Sequence, residues 1–228
     1  MHPSDELTIC RVLSRLRQQG LEADVILDVG ASTGCWSNAV AGVYPDASFH
    51  LFEPLGRSHP DYVKELEESL RRHPNFTLHP FALGAANRVI DLHVSPQPQG
   101  STILEIPTSE FFPVVIQTPV RRLDDLVASG VVPSPQIMKL DVQGGEARIL
   151  EGAGSVLDSL LVAQIECWLY PGYGPTTCLM HEVVERMAAH GLVAAEFSDP
   201  YYDARHQLNT LDLYFVRADT LKAWGGCL

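Results

Sequence analysis

The sequence predicts a doubly wound α/β fold built on a mostly parallel sheet. Short apolar runs that end at glycine, proline or an acidic residue alternate along the chain with stretches of helical spacing. Strands and helices in alternation form β-α-β units whose crossovers are right-handed. A loop with two glycines follows the first predicted strand, at the place where open sheets of this kind bind their ligands.

The first third of the chain contains a helix and then a regular alternation of strands and helices. Residues 5–19 carry leucine and valine at helical spacing and are followed by Gly20, a common helix stop. The run VILDV at residues 25–29 predicts a buried parallel strand. The next predicted elements are a helix at 34–44, a strand at 49–53, a helix at 62–72 and a strand at 76–81.

The middle of the chain interrupts this alternation. Residues 89–94 and 114–120 have strand-like patterns, and the segment SPQPQG at 95–100 predicts a flexible loop. We interpret residues from about 85 to 120 as a β-hairpin insertion that lies over one edge of the sheet or over the site. Around it, we expect an N-terminal helical segment at residues 1–22 and a single domain at residues 23–228.

The last part of the chain resumes the alternation and ends in strands. The final two predicted strands have the pattern of a terminal antiparallel hairpin joined by a long loop. The predicted elements are a helix at 123–128, a strand at 137–141, a helix from 146, a strand at 161–166, a helix at 176–190, and strands at 193–197 and 211–216.

Composition and charge exclude several classes of protein. Hydrophobic residues make up 46% of the chain and charged residues 19%, which favours a sizeable core over disorder. The formal net charge of −12 disfavours nucleic acid as a partner, because phosphates need clustered Lys and Arg. No apolar run approaches the ~18–20 residues that cross a membrane. The five cysteines contain no C-x-x-C pair and the N-terminus is unlike a signal peptide, so we expect reduced thiols in the cytoplasm.

The loop DVGASTG, Asp28 to Gly34, lies between the first strand and its helix. Gly30 permits a tight turn, and Gly34 opens the helix whose N-terminus faces the ligand. A dinucleotide site has the pattern G-x-G-x-x-G, but Ser32 and Cys35 stand where the second and third glycines belong. The loop therefore favours a nucleoside ligand that has no pyrophosphate.

Acidic residues follow two other predicted strands. Glu53 ends the second strand, about 20 residues after the glycine loop, where a carboxylate can bind both ribose hydroxyls. In the segment KLDVQGGE, Asp141 stands at the carboxyl end of a central strand and Glu146 begins the next helix. The alternative for Glu53 is a surface charge, and for the other two it is helix capping with a favourable contact to the helix dipole.

These segments together resemble the FkbM-type family of class I methyltransferases, over roughly residues 25–216. Gln143 departs from the family pattern, because family members usually have D-V-E-G-x-E where this chain has DVQGGE. The matching segments are DVGASTG at 28–34, FEP at 52–54, ALG at 82–84, KLDVQGGE at 139–146, LEGA at 150–153, IEC at 165–167 and LNTLDLYFV at 208–216.

The resemblance implies a Rossmann-like domain that binds S-adenosyl-L-methionine. Gly30 and Ala31 would line the methionine portion, Glu53 the ribose, and Ala82 with Leu83 the adenine. The family mostly methylates hydroxyls of sugars or secondary metabolites, which implies a small hydroxylated acceptor. The complete set of expected cofactor contacts is Asp28, Gly30, Ala31, Ser32, Gly34, Trp36, Glu53, Pro54, Ala82, Leu83 and Asp141.

Methyl transfer to a hydroxyl needs a group that takes its proton. Asp141, Glu146 and Glu166 are all expected near the carboxyl edge of the sheet, and the sequence leaves the choice among them open. Lys139 shares a strand face with Asp141, so it either acts on the substrate or pairs with that carboxylate. The histidines have no metal-ligand spacing, and we expect no metal site.

Two other functions remain as alternatives. One is an oxidoreductase with an NAD-type cofactor, which the missing second glycine disfavours. The other is a catalytically silent relative of the same fold that acts as a binding module. The sequence is compatible with a homodimer and does not identify the acceptor.

Overall fold

The computed structural model of the chain describes residues 3–104, 112–198 and 200–223, with side chains from residue 8 to residue 222. Strands and helices alternate in it as the sequence predicts. The helices are α1 Pro3–Gln18, α2 Cys35–Ala41, α3 Pro60–Arg72, α4 Leu123–Ala128, α5 Glu146–Ala153, α6 Met180–Ala189 and α7 Ala218–Ala223. The strands are β1 Val25–Val29, β2 Ser48–Phe52, β3 Phe76–His79, β4 Ala82–Leu83, β5 Arg88–Val94, β6 Val114–Arg121, β7 Ile137–Leu140, β8 Val162–Trp168, β9 Leu192–Phe197, β10 Tyr201–Tyr202 and β11 Leu208–Arg217.

The large sheet has the order β10-β11-β8-β7-β1-β2-β3, and β9 also pairs with β11. The pairs formed by β3, β2, β1, β7 and β8 are parallel, whereas β11 runs antiparallel to both β8 and β9. This arrangement confirms the predicted fold class, a mostly parallel sheet that ends in an antiparallel hairpin. It also brings the carboxyl ends of β1, β2 and β7 to one edge.

The apolar patterns of the sequence explain why the sheet is covered on both faces. All five residues of β1 are buried, as expected for a central parallel strand between two helix layers. Leu16 and Trp36, from α1 and α2, pack in the core cluster on one face. Ile149 and Val183, from α5 and α6, pack in the cluster on the other face.

The predicted insertion at residues 85–120 contributes β5 and most of β6 to a small second sheet of order β4-β6-β5, and β4 comes from the segment just before it. In it β5 pairs antiparallel with β6 from Arg88↔Val120 to Val94↔Val114, while the short β4 runs parallel to β6. A single turn of 3-10 helix at Pro98–Gly100 lies within the segment that we predicted as a flexible loop. Residues 105–111 of the insertion lie outside the described residues.

Several predicted boundaries were wrong. The helix predicted at 34–44 ends at Ala41, and the strand predicted at 76–81 ends at His79. The helix predicted at 176–190 begins only at Met180, where the Glu182 side chain accepts a hydrogen bond from the Leu179 N–H at 2.8 Å. The strand predicted at 211–216 begins at Leu208, because its first residues pair with β10 and with the end of β8. The terminal hairpin therefore includes β10, which the sequence pattern did not reveal.

Among the described helices, none combines the length and the apolar content that a membrane span requires.

Candidate active site

A cleft with an empty volume of about 650 Å³, including its solvent-open part, lies at the carboxyl ends of β1, β2 and β7. The small second sheet and the loop that follows β5 also line it, through Ala82, Leu83, Leu92, Gln99, Ser101 and Ile103. Seven of the residues that the sequence suggests as cofactor contacts border this cleft. They are Gly30, Ser32, Glu53, Pro54, Ala82, Leu83 and Asp141.

The turn after β1 requires glycine at position 30. Gly30 has φ +79°, and a Cβ there would lie 1.9 Å from the backbone oxygen of Asp141. The N–H groups of Gly30 and Ala31 both donate to the carbonyl of Phe52, at 3.0 and 3.1 Å. The turn is thus fixed to β2 and pressed against the end of β7, so that backbone forms the floor of the cleft.

Glu53 is a buried carboxylate at the edge of the cleft, with 6% of its surface exposed. Its Oε2 accepts from the Ser32 N–H and its Oε1 from the Leu55 N–H, each at 2.9 Å. Burial raises the pKa of Glu53 to about 7, although both hydrogen bonds and the Lys139 charge lower it. Each carboxylate oxygen keeps a second lone pair that a ligand hydroxyl can use.

Lys139 is buried beneath the cleft, with 4% of its side chain exposed. Its Nζ lies 3.3 Å from Oδ1 of Asp28 and 3.5 Å from Oδ2 of Asp141, and donates to the Gly30 carbonyl at 2.9 Å. Burial opposes the charge of Lys139, yet Asp28 and Asp141 together raise its pKa above the usual value. Geometrically, Lys139 is an ion-pair partner that fixes two loops, and it does not border the cleft.

Four of the suggested cofactor residues support the loop without bordering the cleft, namely Asp28, Ala31, Gly34 and Trp36. Asp28 accepts a hydrogen bond from the Ser37 hydroxyl at 2.7 Å. The indole N–H of Trp36 donates to Gln164 at 2.8 Å, on the buried face of the sheet. These contacts anchor α2 beneath the glycine loop.

Gln143 links the carboxyl group of Asp141, which borders the cleft, to that of Glu166, which does not. Its side-chain nitrogen lies 3.0 Å from Oδ1 of Asp141 and 3.2 Å from Oε2 of Glu166. Its side-chain oxygen accepts from the Tyr173 hydroxyl at 2.7 Å, and its backbone oxygen from the Thr102 hydroxyl at 2.9 Å. Gln143 also has φ +59°, a left-handed conformation that few residues other than glycine adopt.

The three candidate bases occupy different environments. Asp141 borders the cleft, and 36% of its side chain is exposed. Glu146 is fully buried, and its Oε1 accepts from the Val142 and Gly144 N–H groups, both at 3.2 Å. Burial raises the pKa of Glu146 to about 7, although these hydrogen bonds lower it. Glu146 therefore shapes the turn after β7.

Glu166 lies behind Gln143 and does not border the cleft. Its Oε2 accepts from the Trp168 indole N–H at 3.1 Å as well as from Gln143. Burial, together with the negative charges of Asp141 and Glu146, raises the pKa of Glu166 well above its usual range. Glu166 is thus held by Gln143 and Trp168 away from the cleft.

Sequence reasoning missed two side chains of this region. Gln143 was noted only as a departure from the family pattern, yet it holds Asp141 in place. Tyr62 lines the cleft from the first turn of α3, in a helix whose charged pattern carried no functional signal. Gln143 and Asp141 are only two residues apart, but the contacts of Gln143 with Glu166 and Tyr173 join separate elements, as does the placement of Tyr62 in the cleft, so no local motif reveals them.

The mixed α/β fold with its large, mostly parallel sheet is similar to that of class I methyltransferase structures. Residues 28–197, about three quarters of the chain, match the family model described as the methyltransferase FkbM domain. The chain therefore belongs to the FkbM methyltransferase domain family.

One curated relative is the hexuronic acid methyltransferase AglP of Haloferax volcanii, which is 30% identical over 167 residues. That match covers 72% of this chain and 63% of AglP, so the chain spans less than two thirds of its relative's length.

Two solved structures have the same fold. The FkbM methyltransferase from Methylobacillus flagellatus has a TM-score of 0.54 and 18% identity, over 89% of this chain and 47% of that one. The magnesium protoporphyrin IX methyltransferase ChlM from Synechocystis, solved with S-adenosylhomocysteine, has a TM-score of 0.51 and 12% identity, over 94% of this chain and 83% of that one.

The residues of the cleft fit the cofactor that this family implies. A backbone turn at Gly30 that any Cβ would obstruct gives a ligand close access to the floor. Glu53 offers carboxylate lone pairs at the neighbouring strand end, and Ala82 with Leu83 offers an apolar surface for a base. S-adenosylmethionine carries a ribose and an adenine that match these two surfaces in kind.

Proposed function

We propose that the protein transfers a methyl group from S-adenosylmethionine to a hydroxyl of a small, sugar-like acceptor. The observation that carries this proposal is that Glu53 and Asp141 follow the two strands that flank β1, which ends at the Gly30 turn, and that all three residues border one cleft. Glu53 suits the ribose of the cofactor, and Asp141 suits the acceptor. Membership of the methyltransferase family supports the proposal and disfavours the NAD-type alternative.

The cofactor half of the site uses the ends of β1 and β2 in the main sheet and β4 of the small second sheet. We assign Gly30, with Ala31 behind it, to the methionine portion, Glu53 to the ribose, and Ala82 with Leu83 to the adenine. The helix α5 packs closely against the segment that carries Ala82 and Leu83. A Cβ on Gly152 of this helix would lie 2.0 Å from the carbonyl oxygen of Gly84. When bound, the cofactor supplies an electrophilic methyl group on a sulfonium.

Asp141 is our choice for the group that takes the acceptor's proton. A base must lie within hydrogen-bond reach of the hydroxyl. Of the three candidate carboxylates, Asp141 borders the cleft, whereas Glu146 and Glu166 are turned into the protein. Gln143 and Lys139 hold its two oxygens in place, which favours the in-line approach that methyl transfer needs.

Charge in the cleft favours a hydroxyl over a carboxylate as the methyl acceptor. The described lining contains Glu53 and Asp141 and no Lys or Arg, and residues 105–111 contain none either. The buried cation beneath the described part of the cleft, Lys139, is already shared between Asp28 and Asp141. A carboxylate acceptor would lose hydration and meet like charge there.

The deciding experiment uses cofactor labelled in its methyl group and glycoside acceptors or a cell extract from the source organism. Transfer to a hydroxyl gives a methyl ether that survives mild alkali, whereas transfer to a carboxylate gives an ester that alkali releases. Alkali-stable label supports the proposal, and alkali-labile label contradicts the choice of a hydroxyl. Failure of S-adenosylhomocysteine to bind in calorimetry would contradict the cofactor itself.

Cellular setting and assembly are further parts of the proposal. Cys10, Cys35, Cys167 and Cys178 are free thiols, which supports a reducing, cytoplasmic location; Cys227 lies outside the described residues. A homodimer and the division of the chain at residue 22 also remain proposals. Analytical ultracentrifugation and limited proteolysis test them.

A further inference from the structure

Tyr62 places a buried hydroxyl beside the cleft. It lies in the first turn of α3, borders the cleft, and has 3% of its surface exposed. Among the described residues its hydroxyl has no hydrogen-bond partner of acceptable geometry. An unpaired buried polar group is costly, so native structures rarely keep one that no ligand or water satisfies.

The Tyr62 hydroxyl has three polar neighbours. Burial raises the pKa of Tyr62 to about 12; the Ser32 side chain, which interacts with the hydroxyl outside good hydrogen-bond geometry, lowers that pKa, and the charges of Glu53 and Asp141 raise it. All three neighbours border the same cleft. Tyr62 thus shares the cleft with the Gly30–Ser32 turn and Glu53, and at neutral pH its buried hydroxyl still carries a proton to donate.

Glu53 and Tyr62 have complementary hydrogen-bonding capacities. The Glu53 carboxylate accepts, and its oxygens already receive the Ser32 and Leu55 N–H groups. A sugar hydroxyl donates one hydrogen bond and accepts others, so a carboxylate on one side leaves its lone pairs unsatisfied. A tyrosine O–H next to that carboxylate supplies the missing donor.

We propose that the Tyr62 hydroxyl donates a hydrogen bond to a ribose hydroxyl of the cofactor that Glu53 binds. This inference rests on the proposed function, because it requires a nucleoside in the cleft. It makes Tyr62 a cofactor-binding residue on a helix outside the family's sequence motifs.

The test measures binding of S-adenosylhomocysteine and of adenosine to the wild type, Tyr62→Phe and Tyr44→Phe by calorimetry. Tyr44 is a matched control, since it is also buried, but its hydroxyl donates to the Leu21 carbonyl at 3.1 Å and does not border the cleft. We expect Tyr62→Phe to weaken both ligands about three- to tenfold. Tyr44→Phe should leave both affinities unchanged.

Deoxyadenosines locate the contact and separate it from a packing effect. The affinities of 2′-deoxyadenosine and 3′-deoxyadenosine are measured by competition. For the analogue that lacks the ribose hydroxyl contacted by Tyr62, Tyr62→Phe should cause no further loss of affinity. If wild type and Tyr62→Phe bind adenosine with equal affinity, the inference is overturned and the proposed function stands. The same holds if Tyr62→Phe reduces the affinities for adenosine and for both analogues equally. A wild-type protein that binds no S-adenosylhomocysteine overturns the proposed function and this inference together.

Discussion

The side-chain nitrogen of Gln143 lies 3.0 Å from Oδ1 of Asp141, and the same amide reaches Glu166 at 3.2 Å. A primary amide has two N–H donors, so one neutral side chain satisfies two acidic groups without adding charge. The family pattern usually has glutamate at this position. In this chain, a carboxylate at position 143 would place hydrogen-bond acceptors against Oδ1 of Asp141 and Oε2 of Glu166, which both need donors.

Gln143→Glu should therefore destabilise the protein at neutral pH by about 1–3 kcal/mol. The introduced carboxyl group would lie beside Asp141 and Glu166, so its pKa would be higher in the folded chain than in the unfolded chain. The penalty is then full above the folded pKa and shrinks as pH falls towards the unfolded pKa. Urea unfolding at pH 5 and pH 8 measures this difference.

Gln143→Met is the control for that substitution, because it removes the two donors without adding charge. Its penalty should not grow between pH 5 and pH 8. A penalty of the same size in both variants at pH 8 would contradict the electrostatic part of the argument.

Glu53 predicts a pH dependence of cofactor binding. Its pKa in the free protein is raised to about 7 by burial, and hydrogen bonds from ribose hydroxyls favour the charged form. Binding therefore lowers this pKa and releases protons, so affinity for S-adenosylhomocysteine should rise with pH through about 7.

Calorimetry between about pH 6 and pH 8, in buffers of different ionisation enthalpy, measures both the affinity and the protons released. Glu53→Gln should bind more weakly and lose this pH dependence. An unchanged slope in that variant would assign the titration to another group.

The assignment of the base predicts different outcomes for two carboxylates. Asp141→Asn should lower kcat by about 10²–10⁴-fold while S-adenosylhomocysteine still binds. Glu146→Gln keeps an oxygen that can accept from the Val142 and Gly144 N–H groups, so it should retain most activity. The measurement is the rate of label transfer, and the reverse order of effects would move the base to Glu146.

Among these substitutions, we expect Gly30→Ala to reduce the free energy of unfolding the most. Gly30→Ala combines a positive φ with a contact of 1.9 Å to the Asp141 backbone oxygen, so it should abolish cofactor binding and reduce the free energy of unfolding. Gly130→Ala is the matched control, since its φ is +73° and nothing lies within 4 Å of the added Cβ. That variant should cost only about 1–2 kcal/mol, and equal penalties would contradict the steric argument.

The sequence predicts the order of strands and helices well, because each buried strand and each helix face has a local apolar pattern. It also predicts that the glycine loop and Glu53 meet, since both follow parallel strands whose carboxyl ends share an edge. It does not predict that Gln143 meets Tyr173, because that contact joins residues from separate loops. The orientation of Tyr62 likewise depends on how α3 packs, which periodicity does not determine.

The two walls of the cleft belong to two different sheets. The main sheet carries the glycine turn and Glu53, whereas the small sheet contributes Ala82 and Leu83 from β4 and Leu92 from β5. The hydrogen bond from the Thr102 hydroxyl to the Gln143 backbone oxygen joins them near the site. Because β4, which carries Ala82 and Leu83, pairs with β6 of the insertion, a change in the insertion would be transmitted to the surface that we assign to the adenine as well as to the rest of the cleft.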